Sequence, residues 1–289
     1  MRERSKAQQT TRFGGWLMRV GFIGLGSQGG PMAGRIIEAG FPTSLWARRP
    51  TSLEPFTGTA AKVAGSPAEL AAASDLVCLC VVGDTDVEEI TSGDDGVLAG
   101  LKPGGVIAVH STVHPGTCHA LANKAAAQGV SVVDAPVSGG APAVAEGRLL
   151  VMVGGDADVV ERCRPVFESY ADPIVHLGDL GSGQTTKLLN NLLFTANLGT
   201  AATTLALGEA LGVLPDRLSE VISRGSGNSF ALNVLGGDTA GLERLAGMAG
   251  ALLQKDVRLL ADVADAVTAG RGVVLDAADA TLSLMEHPR

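Results

Sequence analysis

Val20-Gly-Phe-Ile-Gly-Leu-Gly-Ser-Gln-Gly29 is the stretch whose reading decides the fold. Val20 to Ile23 has the character of a buried strand, and a helical pattern follows the glycines until Gly40. A G-x-G-x-x-G run between strand and helix has a mechanical meaning. The first glycine makes the tight turn, the second lets backbone approach a pyrophosphate, and the third packs helix on strand. The helix N-terminus favours the anion. Gly24, Leu25, Gly26, Ser27, Gln28 and Gly29 are therefore the expected dinucleotide-binding turn. A tight βα turn without a ligand is the other reading of the same residues.

Working outward, apolar strands expected at 44–47, 75–82, 105–109, 130–133, 149–153 and 173–176 alternate with helical segments, one of them at 115–128. Such alternation predicts an α/β protein with a Rossmann-type, doubly wound, mostly parallel sheet. After Gly183 the pattern turns helical, rich in Leu and Ala, with no further strand. The expected organisation is a flexible tail over 1–17, a dinucleotide-binding domain over 18–180 and an all-helical substrate and dimerisation domain over 181–289.

Composition narrows the function. The 289 residues are 46% hydrophobic and 18% charged, which excludes wholesale disorder. Only 3% are aromatic and the net charge is -8, a poor match to the basic grooves and stacking rings that bind nucleic acid. Four cysteines without paired zinc spacing point to a reduced, cytoplasmic protein without a metal. The first residues are basic and lack an apolar core, so no secretory signal is expected. The long uncharged stretch at 188–208 carries Asn190, Asn191, Asn197 and several threonines, costly against lipid. It is read as a helix buried inside a soluble protein, with no membrane partner.

The end of the second strand selects the cofactor. NAD sites place an acid there for the ribose 2′-hydroxyl, whereas this chain reads Trp46-Ala-Arg-Arg-Pro50 with no carboxylate until Glu54. Arg48 and Arg49 suit a 2′-phosphate, so NADP is preferred and NAD possible. Two solvated arginines are the alternative.

Further motifs follow in order: Gly30-Pro-Met-Ala33, Ser111-Thr112, Asp134-Ala-Pro-Val-Ser-Gly-Gly140, Met152-Val-Gly-Gly155, Gly181-Ser-Gly183, Lys187-Leu-Leu-Asn-Asn191 and Lys255-Asp256. Together with the glycine turn they resemble the β-hydroxyacid dehydrogenases, the family of 3-hydroxyisobutyrate dehydrogenase and related semialdehyde reductases. The resemblance runs from about Met18 to Leu284. It implies that Lys187 is the catalytic lysine, that Asn191 positions substrate, and that Ser138, Gly139 and Gly140 bind the substrate carboxylate. It also implies cofactor contacts at Thr112, near the nicotinamide ribose, and at Lys255, beside the nicotinamide; Val81 and Val82 are counted with them. The family's helical domain forms its dimer contact, so a homodimer or higher homo-oligomer is expected.

Chemistry asks for such groups independently. Lys187 and Asn191 are four apart and project from one helix face. A buried lysine has a lowered pKa, usable for the proton that accompanies hydride transfer. From spacing alone, however, Lys187 reads equally well as a surface lysine, Asn191 as a satisfied buried amide, Ser138-Gly-Gly140 as an ordinary turn and Lys255-Asp256 as a commonplace ion pair. His114 and Cys118 read as helix-surface residues rather than metal ligands. Cys78 and Cys80 read as small hydrophobes on one strand, and Glu88-Glu89 as solvated surface. The expected activity is hydride transfer between NADP(H) and a small β-hydroxyacid or semialdehyde. An imine reductase or a non-catalytic dinucleotide-binding module are the alternatives.

Overall fold

The computed structural model describes residues 17–236, 240–270 and 272–289. The tail expected over 1–17 therefore lies outside the described residues, Leu17 apart. The chain divides into two compact units, the first ending at Gln184 and the second starting at Thr185.

The first unit runs β1 (Val20–Ile23), α1 (Gly29–Glu38), β2 (Thr43–Trp46), β3 (Lys62–Val63), α2 (Pro67–Ala72), β4 (Leu76–Leu79), α3 (Asp84–Thr91), α4 (Val97–Gly100), β5 (Val106–Val109), α5 (Pro115–Ala126), β6 (Ser131–Asp134), β7 (Val137–Ser138), α6 (Gly140–Ala145), β8 (Leu149–Val153), α7 (Ala157–Phe167) and β9 (Ala171–His176). Six strands form one sheet in the order β3-β2-β1-β4-β5-β6, every neighbouring pair parallel. The direction of winding reverses at β1, whose neighbours are β2 and β4. In such sheets the ligand crevice lies outside the carboxyl end of the strands at this switch point.

The strands are apolar on both faces because helices cover both. Alternate residues go to opposite sides. Phe22, Leu45 and Cys78 pack with Met32, Ile36, Phe167 and Tyr170 in one core. Ile23, Val77, Leu79 and Ile107 pack with Leu70, Val87 and Leu121 in the other.

Three expectations are corrected. The segments at 149–153 and 173–176 do not extend the main sheet. They form a separate three-stranded sheet, with β7 antiparallel to β8 and β8 parallel to β9. Strands β3 and β7 are additional to the expected ones, since two residues carry no periodicity. β4 ends at Leu79, not at 82. Past it, Cys80 N–H still donates to Ile23 O, but Val81 N–H turns to Ser111 Oγ at 2.8 Å, so Cys80, Val81 and Val82 form the strand's exit loop.

The second unit is helical throughout its described residues: α8 (Ser182–Ala210, whose first three residues belong to the first unit), α9 (Pro215–Arg224), α10 (Phe230–Leu235), α11 (Gly241–Ala266) and α12 (Gly272–Leu284). Leu188, Leu192, Leu198, Leu253, Val257 and Leu282 centre its core. α8 is not buried all round as expected, because Leu189, Leu193 and Leu207 are exposed. Its threonines bond back along the helix, Thr195 to Asn191 O and Thr203 to Gly199 O, which satisfies their hydroxyls without outside partners. No helix among the described residues is long and apolar enough to cross a membrane.

Candidate active site

The glycine turn sits on the carboxyl end of β1, and each glycine has a distinct reason to be there. Gly24 holds φ +97, and a Cβ on it would overlap the Cys80 carbonyl. A Cβ on Gly29 would overlap Gly24 O and crowd Phe22, so α1 packs on β1 only through hydrogen. Gly26, by contrast, is exposed and faces open space. Among the described residues no side chain caps the start of α1, and the buried Nε2 of Gln28 has no hydrogen-bond partner. Close backbone approach, an uncapped helix start and an orphaned amide donor fit a dinucleotide pyrophosphate.

Arg48 and Arg49 follow β2 and are both exposed. Arg48 is already engaged: its guanidinium lies 3.1 Å from Asp86 Oδ1 and 3.1 Å from Glu89 Oε2, both on α3. Glu89 is thus not merely solvated. The Arg49 guanidinium has no partner among the described residues. Val81 is half-buried and Val82 is 67% exposed in the β4 exit loop, and half-buried Thr112 follows the Ser111 that receives Val81 N–H.

Ser138 ends β7, with Gly139 and Gly140 at φ +128 and +69 leading into α6. Behind the C-terminal ends of the strands lies a buried network that local reading missed. Asp134 accepts from Gly181 N–H at 2.7 Å and Gln184 N–H at 2.6 Å, capping the start of α8. Gln184 in turn accepts from Val113 N–H and donates to Ser111 O. Residues up to Gln184 therefore belong to the first unit. Burial pushes the Asp134 carboxyl above the usual carboxylate range, while the Gly181 and Gln184 amides pull it down. Asp134→Ala would strand both amides, at about 1–3 kcal/mol for each. We expect a fall in Tm of roughly 5–15 °C in a thermal melt, and a smaller one for Asp134→Asn, which keeps an acceptor.

In the helical unit, Lys187 is only 9% exposed. Burial pulls its pKa below the ordinary lysine value; Asp256 opposes this and Lys255 adds to it. The surface reading of Lys187 is thereby removed. Asn191, one turn on, donates from Nδ2 to Asp256 Oδ2 at 2.6 Å and accepts from Asn190 Nδ2 at 3.0 Å. Lys255 Nζ lies 2.9 Å from Asp256 Oδ1. Asp256, which the sequence reading quotes only as the ion-pair partner of Lys255, is the organising group of this cluster. A signal existed: it occupies the buried stripe of α11 with Leu253, Val257 and Leu260, where an acid is out of place. A buried amine beside a buried carboxylate and an oriented amide can exchange a proton with a substrate oxygen.

Three discounted positions differ from expectation. Cys118 is fully buried rather than on the helix surface. His114 precedes α5 and caps it, its Nδ1 accepting from Gly116 N–H. Cys80 is half-buried beyond the strand, whereas Cys78 is a buried strand residue.

Comparison with known proteins agrees with this architecture. Residues 19–178 match the NAD binding domain of 6-phosphogluconate dehydrogenase. Residues 181–285 match the family described as NAD-binding of NADP-dependent 3-hydroxyisobutyrate dehydrogenase. The chain is 34% identical over 248 residues to 2-(hydroxymethyl)glutarate dehydrogenase of Eubacterium barkeri, covering 84% of this chain and 81% of that one. It is 36% identical over 215 residues to 3-hydroxyisobutyrate dehydrogenase of Pseudomonas aeruginosa, covering 74% and 72%. The solved 3-hydroxyisobutyrate dehydrogenase of Mycobacterium tuberculosis with L-serine superposes with a TM-score of 0.82 at 29% identity, covering 94% of each chain. This chain therefore belongs to the β-hydroxyacid dehydrogenase family and is an NAD(P)-dependent, 3-hydroxyisobutyrate dehydrogenase-like oxidoreductase acting on CH–OH groups.

Proposed function

We propose that the substrate is a small β-hydroxyacid or its semialdehyde, that NADP(H) is preferred over NAD(H), and that Lys187 handles the proton. The observation that carries this reading is the buried amine of Lys187 in the company of Asp256 and Lys255. The bound nicotinamide supplies the hydride acceptor or donor. The protein's own part is acid–base and positional. As hydride leaves the carbinol carbon, the hydroxyl proton passes to neutral Lys187 Nζ; in the reverse direction protonated Lys187 gives it to the carbonyl oxygen. Asn191 spends one Nδ2 hydrogen on Asp256 and keeps the other to orient substrate. Ser138, Gly139 and Gly140 are assigned the substrate carboxylate, and Thr112, Val81, Val82 and Lys255 the cofactor.

The units are accordingly assigned as a dinucleotide-binding domain and a helical substrate and dimerisation domain. Exposed Phe230, Met248 and Leu252 on the helical unit support a homo-oligomer. Four free thiols fit a reducing, cytoplasmic setting.

The test combines substrate turnover with cofactor titration. Purified protein is mixed with NADPH or NADH and a panel of semialdehydes, glyoxylate and cyclic imines, and cofactor oxidation is followed by absorbance. Reduction of the semialdehydes or glyoxylate is expected; reduction of imines alone overturns the substrate class. In fluorescence titrations NADPH binds more tightly than NADH. Arg48→Ser with Arg49→Ser weakens NADPH by about 1.5–3 kcal/mol while NADH changes little. Equal or tighter NADH binding by the unaltered protein removes the NADP(H) assignment.

A further inference from the structure

The two arginines after β2 are chemically alike but structurally unequal. Arg48 is held by two carboxylates of α3, Asp86 and Glu89, which are three apart and so share a helix face. The remaining first-turn acid of α3, Asp84, is engaged elsewhere, accepting from His114 N–H and Thr117 Oγ. α3 follows β4 and Arg48 follows β2, the two strands that flank β1. The ion pair thus joins the segments that leave the two strands on either side of β1, the switch point at which such sheets bind their ligand. Arg49 carries no such pair.

A 2′-phosphate brings about two negative charges. To use Arg48 it must either displace Asp86 and Glu89 or sit beside them, and either route costs free energy that a ribose 2′-hydroxyl does not incur. We propose that Asp86 and Glu89 are specificity-determining residues that compete with the 2′-phosphate for Arg48. Arg49 then makes the principal phosphate contact, and the margin of NADP(H) over NAD(H) is narrower than two free arginines would provide. The inference rests on the dinucleotide-binding reading of the turn and deepens the cofactor preference proposed above.

The experiment is a titration of intact protein and variants with NADPH and, separately, NADH. Asp86→Asn with Glu89→Gln is expected to tighten NADPH binding roughly fivefold, the scale of two exposed ion pairs, and to leave NADH within about twofold. In the unaltered protein, Arg49→Ala should weaken NADPH more than Arg48→Ala does. In the charge-neutralised background the Arg48→Ala loss should grow to match it, a coupling that loss of structure would not produce. NADPH binding that is unchanged or weaker after neutralisation overturns the proposal, and so does equal tightening of NADH. Failure of the NADP(H) preference itself looks different: the unaltered protein would bind NADH at least as tightly as NADPH, while the gain for NADPH on neutralisation would remain measurable.

Discussion

Lys187→Ala is expected to lower turnover by roughly 10²–10⁴-fold while NADPH affinity stays near that of the unaltered protein, because positioned acid–base groups contribute on that scale. The proton on the substrate oxygen has to move with the hydride, and the amine that would take it is buried on α8. Lys187→Arg should rescue little, since guanidinium keeps the charge but cannot release its proton at neutral pH. The pH profile carries a direction as well. Burial lowers the Lys187 pKa, so the neutral amine needed for alcohol oxidation forms at a lower pH than on a solvated lysine. Oxidation rate should therefore rise through a pKa below 10.5, and carbonyl reduction should fall through the same one. Asp256→Asn removes the opposing carboxylate and should shift that midpoint further down. Full activity of Lys187→Ala on a substrate turned over by the intact protein would show that the proton travels by another route.

The second large effect is on stability. His110 is buried between the sheet and α7, its ring stacked on Phe22 and edge-on to Phe167 and Tyr170. Nδ1 meets Ala135 O at 2.7 Å and Nε2 meets Tyr170 Oη at 3.3 Å. Burial lowers its pKa to about 4, against 6.5 for an unconstrained imidazole. Above pH 6.5 neither folded nor unfolded chain protonates this ring, and its packing contributes in full. Between 6.5 and 4 the unfolded chain takes up a proton that the folded chain refuses, so stability falls as pH falls. Across that window the loss is about 3 kcal/mol. Asp134, whose carboxyl is raised by burial, acts in the opposite sense at the acid end, so the informative comparison retains it. Denaturant melts of the intact protein and His110→Phe at several pH values make that comparison. The variant is less stable at neutral pH, having stranded Ala135 O and Tyr170 Oη, but should lose about 3 kcal/mol less on acidification. An equal acid sensitivity of both proteins would remove His110 as its source.

What the sequence determined by itself was whatever a short window encodes. The strand, glycine turn and helix at 20–38, the 149–153 strand and the helical character beyond Gly183 were all legible, because hydrophobic period and glycine placement are local signals. The ordered motifs were enough to suggest the family. Tertiary structure decided which distant groups meet. Asn191 and Asp256 are 65 residues apart, Asp134 and Gln184 50, His110 and Tyr170 60, and Arg48 and Glu89 41. Strand order brings α3 to Arg48, and the packing of α11 on α8 brings a buried carboxylate to Asn191. Neither leaves a mark in the periodicity of any one segment. An acid on an apolar stripe, as at Asp256, marks an exception to the local pattern, but the partner that makes it tolerable is known only once the helices are packed.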